Sequence, residues 1–525
     1  MKRLAGILLT SLTLVLCGTE AQAQVHMQAR AAVPNTGSPP DYDRLVDAVV
    51  AQYRLPGIAV GVIDDGKVVY TRTVGTLESG KPIDSDTLFQ IASNSKSMTV
   101  TLLARLVEEG KLQWDDPVTK YLPSFRMYDP WVTANMQVGD LLVHHSGLPE
   151  GAGDLMLWPD PNDFTPQDVV HGLRYLKPAY SFRAGYAYDN TLYIVAGLVA
   201  AAAGGAPYPT LLRREVFQPL GMNRCQIGTW NRDAVGDVAS PHIWSDDHYV
   251  EEPARGPIVQ AATMDAAGGV RCSLNDMLIW AMNWLAPTAK QLAWLSPQQR
   301  RQEWTGYTPM PISKRQHAWD GTLFYSYGYG WRIGDVDGQM TVSHTGTLSG
   351  MYSAVTLLPF RRSGYVFLID ADADNARTVL NEVLTKQFTA PGKARSVGSY
   401  ADELARNDRQ QRISRIPDTS SRQPATAADL KGRLGVWRDP WFGEARICAR
   451  GNGVFFASRK SPRLAGQVMR VGERYLVHWG SGNSEAWLQF PERKGDVLHM
   501  AKVDPDADFS DDYEDLAFRR VRACE

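Results

Sequence analysis

The chain contains 525 residues, which is more than one hydrophobic core usually organises, so two domains are expected. Its 55 basic and 57 acidic residues leave a net charge of −2, which argues against nucleic acid or an anionic membrane surface as a partner. Neither C-x-x-C nor H-E-x-x-H occurs, so the sequence offers little support for a zinc site.

Residues 1–23 are typical of a secretory signal peptide. A basic start precedes the apolar run Leu4–Leu16, which is too short to cross a bilayer comfortably, and Ala21-Gln22-Ala23 forms a cleavage site. Cys17 raises the alternative of a lipoprotein, but the leucine before it is not the small residue that a lipoprotein signal needs. We therefore expect a periplasmic or secreted protein without an integral membrane segment after signal cleavage.

Composition divides the rest of the chain into four predicted segments. Residues 24–42 are rich in proline and are expected to form a disordered leader. Residues 43–390 mix strand and helix patterns, and the polar residues 391–428 form a linker. Residues 429–525 contain short alternating runs, which are typical of a small all-β barrel or sandwich.

The segment 43–390 begins with a predicted hairpin, in which Ile58–Ile63 and Val68–Tyr70 flank an Asp-Gly turn. A helix-rich middle follows, beginning with an amphipathic helix over Ser97–Glu109. Because predicted strands both precede and follow these helices in the sequence, we expect an α/β domain whose sheet is assembled from distant parts of the sequence. The later elements are strands near Gly328–Ile333, Met340–Ser343, Tyr352–Leu358 and Tyr365–Asp370 and a helix around Ala376–Gln387.

Three patterns in the C-terminal third have competing interpretations. Arginines spaced three apart in the linker favour a solvated helix over a basic binding stripe; they are Arg406, Arg409, Arg412 and Arg415. Four tryptophans of the β-domain are expected in its core rather than around a ligand: Trp437, Trp441, Trp479 and Trp487. The aspartates between Asp504 and Asp512 lack the glycine of an EF-hand, which favours an acidic surface loop over a calcium site.

Four cysteines remain after export, two on each side of the predicted domain boundary. Disulfides Cys225–Cys272 and Cys448–Cys524 are therefore permissible in an oxidising compartment. Free buried thiols are the alternative, because the sequence contains no distances.

The most informative local pattern is Ser93-x-x-Lys96. Residues three apart lie on one face of a helix, so the serine hydroxyl and the lysine amine can meet near the positive end of the predicted helix. A serine hydroxyl is a poor nucleophile until a neighbouring group takes its proton, and a buried lysine can be tuned to do so. Alone the pattern is weak, because a helix N-cap followed by a surface lysine has the same spacing.

Two further motifs lie downstream. Tyr188-Asp189-Asn190 precedes the apolar helix Leu192–Ala203. The tyrosine would act as a base only if nearby cations lowered its pKa from about 10, and the amide of Asn190 suits a substrate amide or a lysine, unless it is only a helix N-cap. Ser343–Thr347 follows a strand, and its Thr-Gly pair allows close approach to an edge whose N–H groups can stabilise an oxyanion.

In this order, Ser93-x-x-Lys96, Tyr188-x-Asn190 and His344-Thr345-Gly346 resemble the three motifs of the penicillin-recognising serine hydrolases. The likeness covers about residues 43–390 and includes class C β-lactamases, D-Ala-D-Ala carboxypeptidase B, D-aminopeptidases and related esterases. It implies an α/β fold with a β-lactamase-like antiparallel sheet flanked by helices and an all-helical subdomain. The C-terminal domain is similar to the lipocalin-like β-domains appended to such hydrolases. Flanking stretches also resemble family signatures: Leu112–Val118, Leu141–Leu148 and Ala267–Val270.

The resemblance implies a role for each motif residue. Ser93 attacks a carbonyl and forms an acyl-enzyme, while Lys96 and Tyr188 share the proton transfers in an order that the motifs leave open. Asn190 positions the substrate amide, and the backbone N–H groups of Ser93 and Thr347 form an oxyanion hole. The rest of the third motif completes the substrate-binding strand: His344, Thr345 and Gly346. No metal or organic cofactor is implied; the expected partner is a small-molecule or peptide substrate, and a homo-oligomer is left open.

His344 departs from the β-lactamase pattern, in which the third motif usually starts with lysine. A lysine attracts the carboxylate of penicillins and of D-Ala-D-Ala ends, whereas a histidine is mostly neutral at pH 7. This departure favours the D-aminopeptidases and esterases of the group. The adjacent His144 and His145 are expected to be structural.

The leading prediction is an exported serine hydrolase that cleaves an amide, peptide or ester, with a peptidase acting on D-amino-acid or peptidoglycan-type substrates ranked first. Esterase activity ranks second and β-lactamase activity third. A catalytically idle protein that senses cell-wall fragments is a rival, but it predicts a lost nucleophile or lysine, and both are present. No G-x-S-x-G occurs, which argues against an α/β-hydrolase.

Overall fold

The computed structural model describes residues 40–524, except residues 255, 481–482 and 492–495 and the side chains of residues 411–414. The predicted signal peptide, Cys17 and the predicted leader up to residue 39 lie outside the described residues.

Sixteen α-helices occur in the described residues. In chain order they are α1 (Tyr42–Tyr53), α2 (Ser95–Glu108), α3 (Val118–Tyr121), α4 (Pro130–Asn135), α5 (Pro166–Gly172), α6 (Thr191–Gly204), α7 (Tyr208–Leu212), α8 (Gln218–Leu220), α9 (Arg232–Val235), α10 (Asp265–Gly268), α11 (Leu274–Leu285), α12 (Ala289–Trp294), α13 (Pro297–Glu303), α14 (Lys314–Asp320), α15 (Asp374–Thr389) and α16 (Val397–Arg415).

The strands of the first 370 residues are β1 (Ile58–Asp64), β2 (Lys67–Val74), β3 (Phe89–Gln90), β4 (Trp230–Asn231), β5 (His242–Ser245), β6 (His248–Glu251), β7 (Ile258–Val259), β8 (Arg271–Cys272), β9 (Thr308–Pro309), β10 (Tyr325–Tyr327), β11 (Arg332–Val336), β12 (Gln339–Leu348), β13 (Met351–Leu358) and β14 (Ser363–Ile369). Those that follow are β15 (Gln423–Pro424), β16 (Gly435–Asp439), β17 (Gly443–Arg450), β18 (Gly453–Ser458), β19 (Ala465–Val471), β20 (Arg474–Trp479), β21 (Ala486–Gln489), β22 (Val497–Lys502) and β23 (Ala517–Arg522).

The main sheet has eight antiparallel strands in the order β2-β1-β14-β13-β12-β11-β10-β9. The N-terminal hairpin closes through Asp65 and Gly66, which both have positive φ, as a two-residue hairpin turn requires. Strand β1 pairs on its other side with β14, so that Ile58 lies opposite Ile369. The sheet is therefore assembled from distant parts of the sequence, as predicted.

Alternation along β1 divides the core between the two faces of the sheet. Ile58, Val60 and Val62 pack with α1 and α15 on one face, whereas Ala59 and Ile63 join the larger core on the other face. The larger core includes α11 and the helices between β2 and β9, which form the predicted helical subdomain. The site described below lies where this helical part meets the sheet.

Eight strands of the C-terminal domain close into a barrel. The order is β19-β18-β17-β16-β23-β22-β21-β20, and β20 pairs back to β19, while the short β15 adds to β19 from outside the ring. The barrel form of the predicted β-domain is confirmed. All four predicted core tryptophans are buried in it: Trp437, Trp441, Trp479 and Trp487.

The linker contains a helix, α16, whose first half packs on α1 and α15 through Val397, Tyr400 and Leu404. The side chain of Arg412 lies outside the described residues, and Arg415 pairs with Asp506 of the barrel. One prediction about the C-terminal third is wrong. The aspartate loop is not wholly at the surface, because Asp512 is buried and accepts a hydrogen bond from the backbone of Gly153 in the helical subdomain.

Both permissible disulfides are present, Cys225–Cys272 within the first domain and Cys448–Cys524 within the barrel. In the part of the chain that the structure describes, no single helix is long and apolar enough to cross a membrane. The helices Thr191–Gly204 and Tyr208–Leu220, which meet at a bend, reach that length and apolar composition only when they are taken together. The same part holds no cluster of three or more His, Cys, Asp or Glu side chains that could bind a metal ion.

Candidate active site

Ser93 lies in a short 3-10 turn, Ala92–Asn94, between β3 and α2. The turn is strained, since Ala92 has φ of 47°, and it is held against the main sheet. Asn94 donates to Ser353 Oγ at 2.8 Å, and Ser353 donates to the carbonyl of Ile91 at 2.8 Å. Ser93 is only partly buried, so a substrate can reach it.

Lys96 occupies the first turn of α2 and is fully buried. Its ammonium lies 3.1 Å from Ser93 Oγ, 2.7 Å from Asn190 Oδ1 and 3.0 Å from the carbonyl of Ala267. Burial lowers the pKa of Lys96 from 10.5 to about 7, against the opposing effect of the Asp154 and Asp189 carboxylates. The lysine can therefore lose its proton near neutral pH and take one from Ser93.

Tyr188 lies beside this pair, with its ring centroid 4.8 Å from Lys96 Nζ and 4.2 Å from the ring of His144. Its hydroxyl is buried and has no hydrogen-bond partner of good geometry among the described residues, although Ser93 is close enough to lower its pKa. Burial outweighs the effects of Ser93 and Arg332 and raises the pKa of Tyr188 well above 10. A tyrosinate base would need a nearby cation to lower its pKa. Arg332 lowers the pKa of Tyr188 by less than burial raises it, so Lys96 is the better base.

Asn190 directly precedes α6, yet its side chain caps no helix. Its carbonyl oxygen accepts from Lys96, and its amide donates to Asp154 Oδ2 at 2.8 Å. The alternative of a simple N-cap is therefore excluded. Asp154 is fully buried, and burial raises the pKa of its carboxyl to about 8.

His344 is buried in β12, and both of its ring nitrogens have partners. Nδ1 lies 2.7 Å from the carbonyl of Thr345, to which it donates, so Nε2 accepts from the Tyr327 hydroxyl at 2.8 Å. Burial and the nearby cations Arg332 and Lys96 lower the pKa of His344 well below 6.5. This histidine is neutral and supports Tyr327 rather than a substrate anion.

The rest of the third motif packs against the nucleophile turn. A Cβ on Gly346 would lie 2.2 Å from the carbonyl oxygen of Ile91, so the glycine allows β12 to approach the backbone that precedes Ser93. Thr347 is exposed, and Arg377 donates both to its hydroxyl and to the carbonyl of Gly346. Gly346 thus allows β12 to pack closely against the turn that carries Ser93.

Arg332 of β11 is a site residue that the sequence motifs do not include. It donates to Thr345 Oγ1 at 2.8 Å and lies 6.0 Å from the Tyr188 ring centroid. Within the described ranges it forms no ion pair with a carboxylate, and tyrosine hydroxyls are its polar surroundings: Tyr325, Tyr186, Tyr188 and Tyr327. Arginine keeps its proton in proteins, so the site contains a cation without a direct ion pair in the described structure. Arg332 lies near enough to Glu150 to lower the pKa of that carboxyl.

A family model described as "Beta-lactamase" matches residues 42–388 of the chain. The chain belongs to the beta-lactamase family. This β-lactamase-family hydrolase is 26% identical over 491 residues to an unguisins hydrolase of Aspergillus campestris, covering 88% of each chain. It is 36% identical over 199 residues to the esterase EstB of Burkholderia gladioli, covering 35% of this chain and 50% of the esterase.

A solved structure, the octameric penicillin-binding protein homologue from Pyrococcus abyssi, shares the fold of this family member. It aligns with a TM-score of 0.58 at 19% identity and covers 91% of this chain and 100% of that chain. The family and fold predicted from the three motifs are therefore confirmed.

Proposed function

We propose that this chain is an exported serine hydrolase that cleaves an amide, peptide or ester bond through an acyl-enzyme. The observation that carries the proposal is the 3.1 Å contact between the Ser93 hydroxyl and the Lys96 amine, whose pKa burial lowers to about 7. Near neutral pH a substantial share of Lys96 is unprotonated and available as a general base.

In the proposed reaction, Ser93 Oγ bonds to the substrate carbonyl carbon while its proton passes to Lys96 Nζ. The N–H groups of Ser93 and Thr347 receive the developing oxyanion. When the intermediate collapses, the bond from the carbonyl carbon to the leaving nitrogen or oxygen breaks, and the protonated Tyr188 hydroxyl relays the proton from Lys96 to the leaving atom. Water then cleaves the Ser93 ester by the reverse proton transfers.

The substrate we propose carries a carboxylate, because Arg332 forms no ion pair within the described part of the chain and lies beside Thr345 and Tyr188. A cation in such surroundings binds an anion more strongly than it would in water. This supports a peptidase acting on D-amino-acid or peptidoglycan-type substrates, which the family resemblance ranks first. Arg332 supplies the charge that the neutral His344 does not.

An esterase is the second candidate, favoured by the neutral state of His344 and by the similarity to the esterase EstB. β-Lactamase activity ranks third. An idle binding protein is supported less, because Ser93, Lys96 and Asn190 form an intact hydrogen-bonded set.

We further propose that the chain is periplasmic or secreted, on the basis of the signal-like residues 1–23 and two disulfides suited to an oxidising compartment. Assembly into a homo-oligomer is a proposal as well. It draws support from the octameric penicillin-binding protein homologue of Pyrococcus abyssi, which shares the fold.

A matched pair of substrates tests the proposal: a D-Ala-D-Ala peptide with a free carboxylate and its carboxamide. We expect the wild type to prefer the free acid and Ser93→Ala to cleave neither. Arg332→Met should raise KM for the free acid about tenfold or more, the usual scale for losing a charged hydrogen bond, without affecting the carboxamide.

The control is Arg459→Met, which removes a 78% exposed arginine of the barrel and should change nothing. Equal use of both peptides by the wild type would contradict carboxylate recognition. If the wild type also failed to hydrolyse D-aminoacyl anilides, short esters and nitrocefin, the assignment as an enzyme would be wrong.

A further inference from the structure

A loop of the C-terminal barrel reaches the buried side of the active site. Between β22 and β23, Ser510 donates to Asp154 Oδ2 at 2.7 Å, and Asp512 Oδ2 accepts from Gly153 N at 2.5 Å. In the same loop, the ring of Phe509 lies 5.7 Å from the ring of Tyr188 in an edge-on arrangement. Three contacts within four residues make this loop part of the wall of the site region.

The backbone of the loop is seated as closely as its side chains. A Cβ added to Gly151 would lie 2.4 Å from the carbonyl oxygen of Phe509, so only glycine leaves room for the loop at this point. Gly151 also has a φ of 75°, which favours glycine for a second reason. Gly151 of the helical subdomain therefore leaves room for the backbone of the barrel loop.

From Ser510 a continuous series of hydrogen bonds leads to the nucleophile. The steps are Ser510 Oγ to Asp154 Oδ2 at 2.7 Å, Asp154 to Asn190 Nδ2 at 2.8 Å, Asn190 Oδ1 to Lys96 Nζ at 2.7 Å, and Lys96 Nζ to Ser93 Oγ at 3.1 Å. Asp154 Oδ1 has no partner among the described residues, so Oδ2 alone fixes this carboxyl. The two donors on Oδ2 are Asn190 and Ser510.

We propose that Ser510 is a positioning residue for the proposed acyl transfer: from the barrel domain, its hydroxyl fixes Asp154, which orients Asn190 and through it Lys96. The active site is therefore a composite of both domains. This inference rests on the proposed function of Lys96 as the base for Ser93.

The hydrogen bond has an electrostatic consequence with a definite sign. Donation from Ser510 lowers the pKa of Asp154, and the charge of Asp154 raises the pKa of Lys96. Without Ser510, Asp154 is neutral more often and the pKa of Lys96 falls further. The other titratable or charged groups that act on Lys96 or Asp154 are Asp189, Arg332, His144, His344, Tyr188, Asp508 and Asp512.

The test is the rate of Ser93 labelling by a fluorophosphonate between pH 5 and 9. In this step an Oγ–phosphorus bond forms, the phosphorus–fluorine bond breaks, fluoride leaves, and the serine proton passes to Lys96. We expect Ser510→Ala to slow labelling about tenfold at the plateau and to move the midpoint of the acidic limb to lower pH. Ser510→Thr keeps the hydroxyl and should restore both values, and Ser510→Cys, a weaker donor, should fall between.

Ser420→Ala is the matched control, since Ser420 is exposed in the linker. Asp154→Asn should move the midpoint in the same direction, and adding Ser510→Ala to it should give little further change, because both act through one contact. A Ser510→Ala or Ser510→Cys profile identical to that of the wild type would overturn the inference. A wild type that is not labelled at all would instead overturn the proposed function.

Discussion

Burial, rather than a neighbouring cation, makes Lys96 a base. The Asp154 and Asp189 carboxylates would raise its pKa, yet desolvation of the fully buried ammonium outweighs them and lowers the pKa to about 7. In the neutral form, two N–H groups remain to donate to Asn190 Oδ1 and the carbonyl of Ala267, so the lone pair is left to accept from the Ser93 hydroxyl. The proton can therefore move over a short, fixed path.

Tyr188 has a different task, because burial keeps its hydroxyl protonated. We predict that Tyr188→Phe lowers kcat at least about a hundredfold, the usual scale for a lost proton-transfer group, while the midpoint of the pH–rate profile stays near that of the wild type. Tyr193→Phe is the matched control, since the Tyr193 ring also lies near Lys96 but its hydroxyl bonds the carbonyl of Leu142. Near-normal turnover in Tyr188→Phe would remove the tyrosine from the mechanism.

Motifs could predict the residues that have a fixed local spacing, but not their partners. Ser93 and Lys96 meet because they are three residues apart, and the spacing alone predicts that contact. Asp154 and Arg332 stand in no recognisable pattern. The importance of Asp154 arises from its burial, and that of Arg332 from the lack of an ion pair in the described structure. The raised pKa of Tyr188 also depends on burial, which its motif does not contain.

At the scale of elements, the site depends on how closely β12 approaches the turn that carries Ser93. Gly346 lies against the carbonyl of Ile91, and Arg377 of α15 donates to the carbonyl of Gly346. The strained Ala92 conformation is retained between these contacts and the Asn94–Ser353 hydrogen bond. Strand and turn thus act as one rigid unit.

We predict that Gly346→Ala disrupts this unit. The new methyl group would meet the Ile91 carbonyl, which is backbone and cannot swing away, so overpacking should lower the free energy of unfolding by about 1–3 kcal/mol and slow Ser93 acylation at least about tenfold. Thermal unfolding and fluorophosphonate labelling measure the two effects. Gly398→Ala, at an open position in α16, is the control, and equal behaviour of the two variants would show that the close packing is unimportant.

Periodicity predicted the long elements better than the short ones. The hairpin β1–β2 and strands β13 and β14 were predictable because each is a long apolar or alternating run. Strands β9 and β10 complete the edge of the sheet with only two and three residues, too few for a period to appear.

At the scale of the whole molecule, the barrel packs directly on the helical subdomain. Lys460 pairs with Asp168 at 2.6 Å and accepts through its carbonyl from Asp163 N, while the rings of Phe164 and Phe442 lie 5.7 Å apart. Domain order was predictable from composition, but this docking was not. Its contacts join residues about 290 positions apart, and no sequence pattern encodes them.

The disulfide Cys448–Cys524 ties the chain just after the last strand of the barrel to β17, across 76 residues. We predict that Cys448→Ser with Cys524→Ser lowers the stability of the barrel by about 2–5 kcal/mol, because the unfolded chain regains loop freedom. Calorimetry of the full chain measures the change. Because the barrel supplies Ser510, labelling of Ser93 should be lost at a lower temperature than in the wild type. An unchanged unfolding transition would contradict the prediction.

The pH dependence of Ser93 acylation in the wild type and in Lys96→Arg tests the central claim most directly. Since the pKa of Lys96 is lowered to about 7, the neutral amine and the acylation rate should increase as the pH rises through about 7 and level off above pH 8. Lys96→Arg stays charged and should be at least about a hundredfold slower at every pH. A wild-type rate that is flat from pH 5 to 9, or an active Lys96→Arg variant, would contradict the assignment of Lys96 as the base.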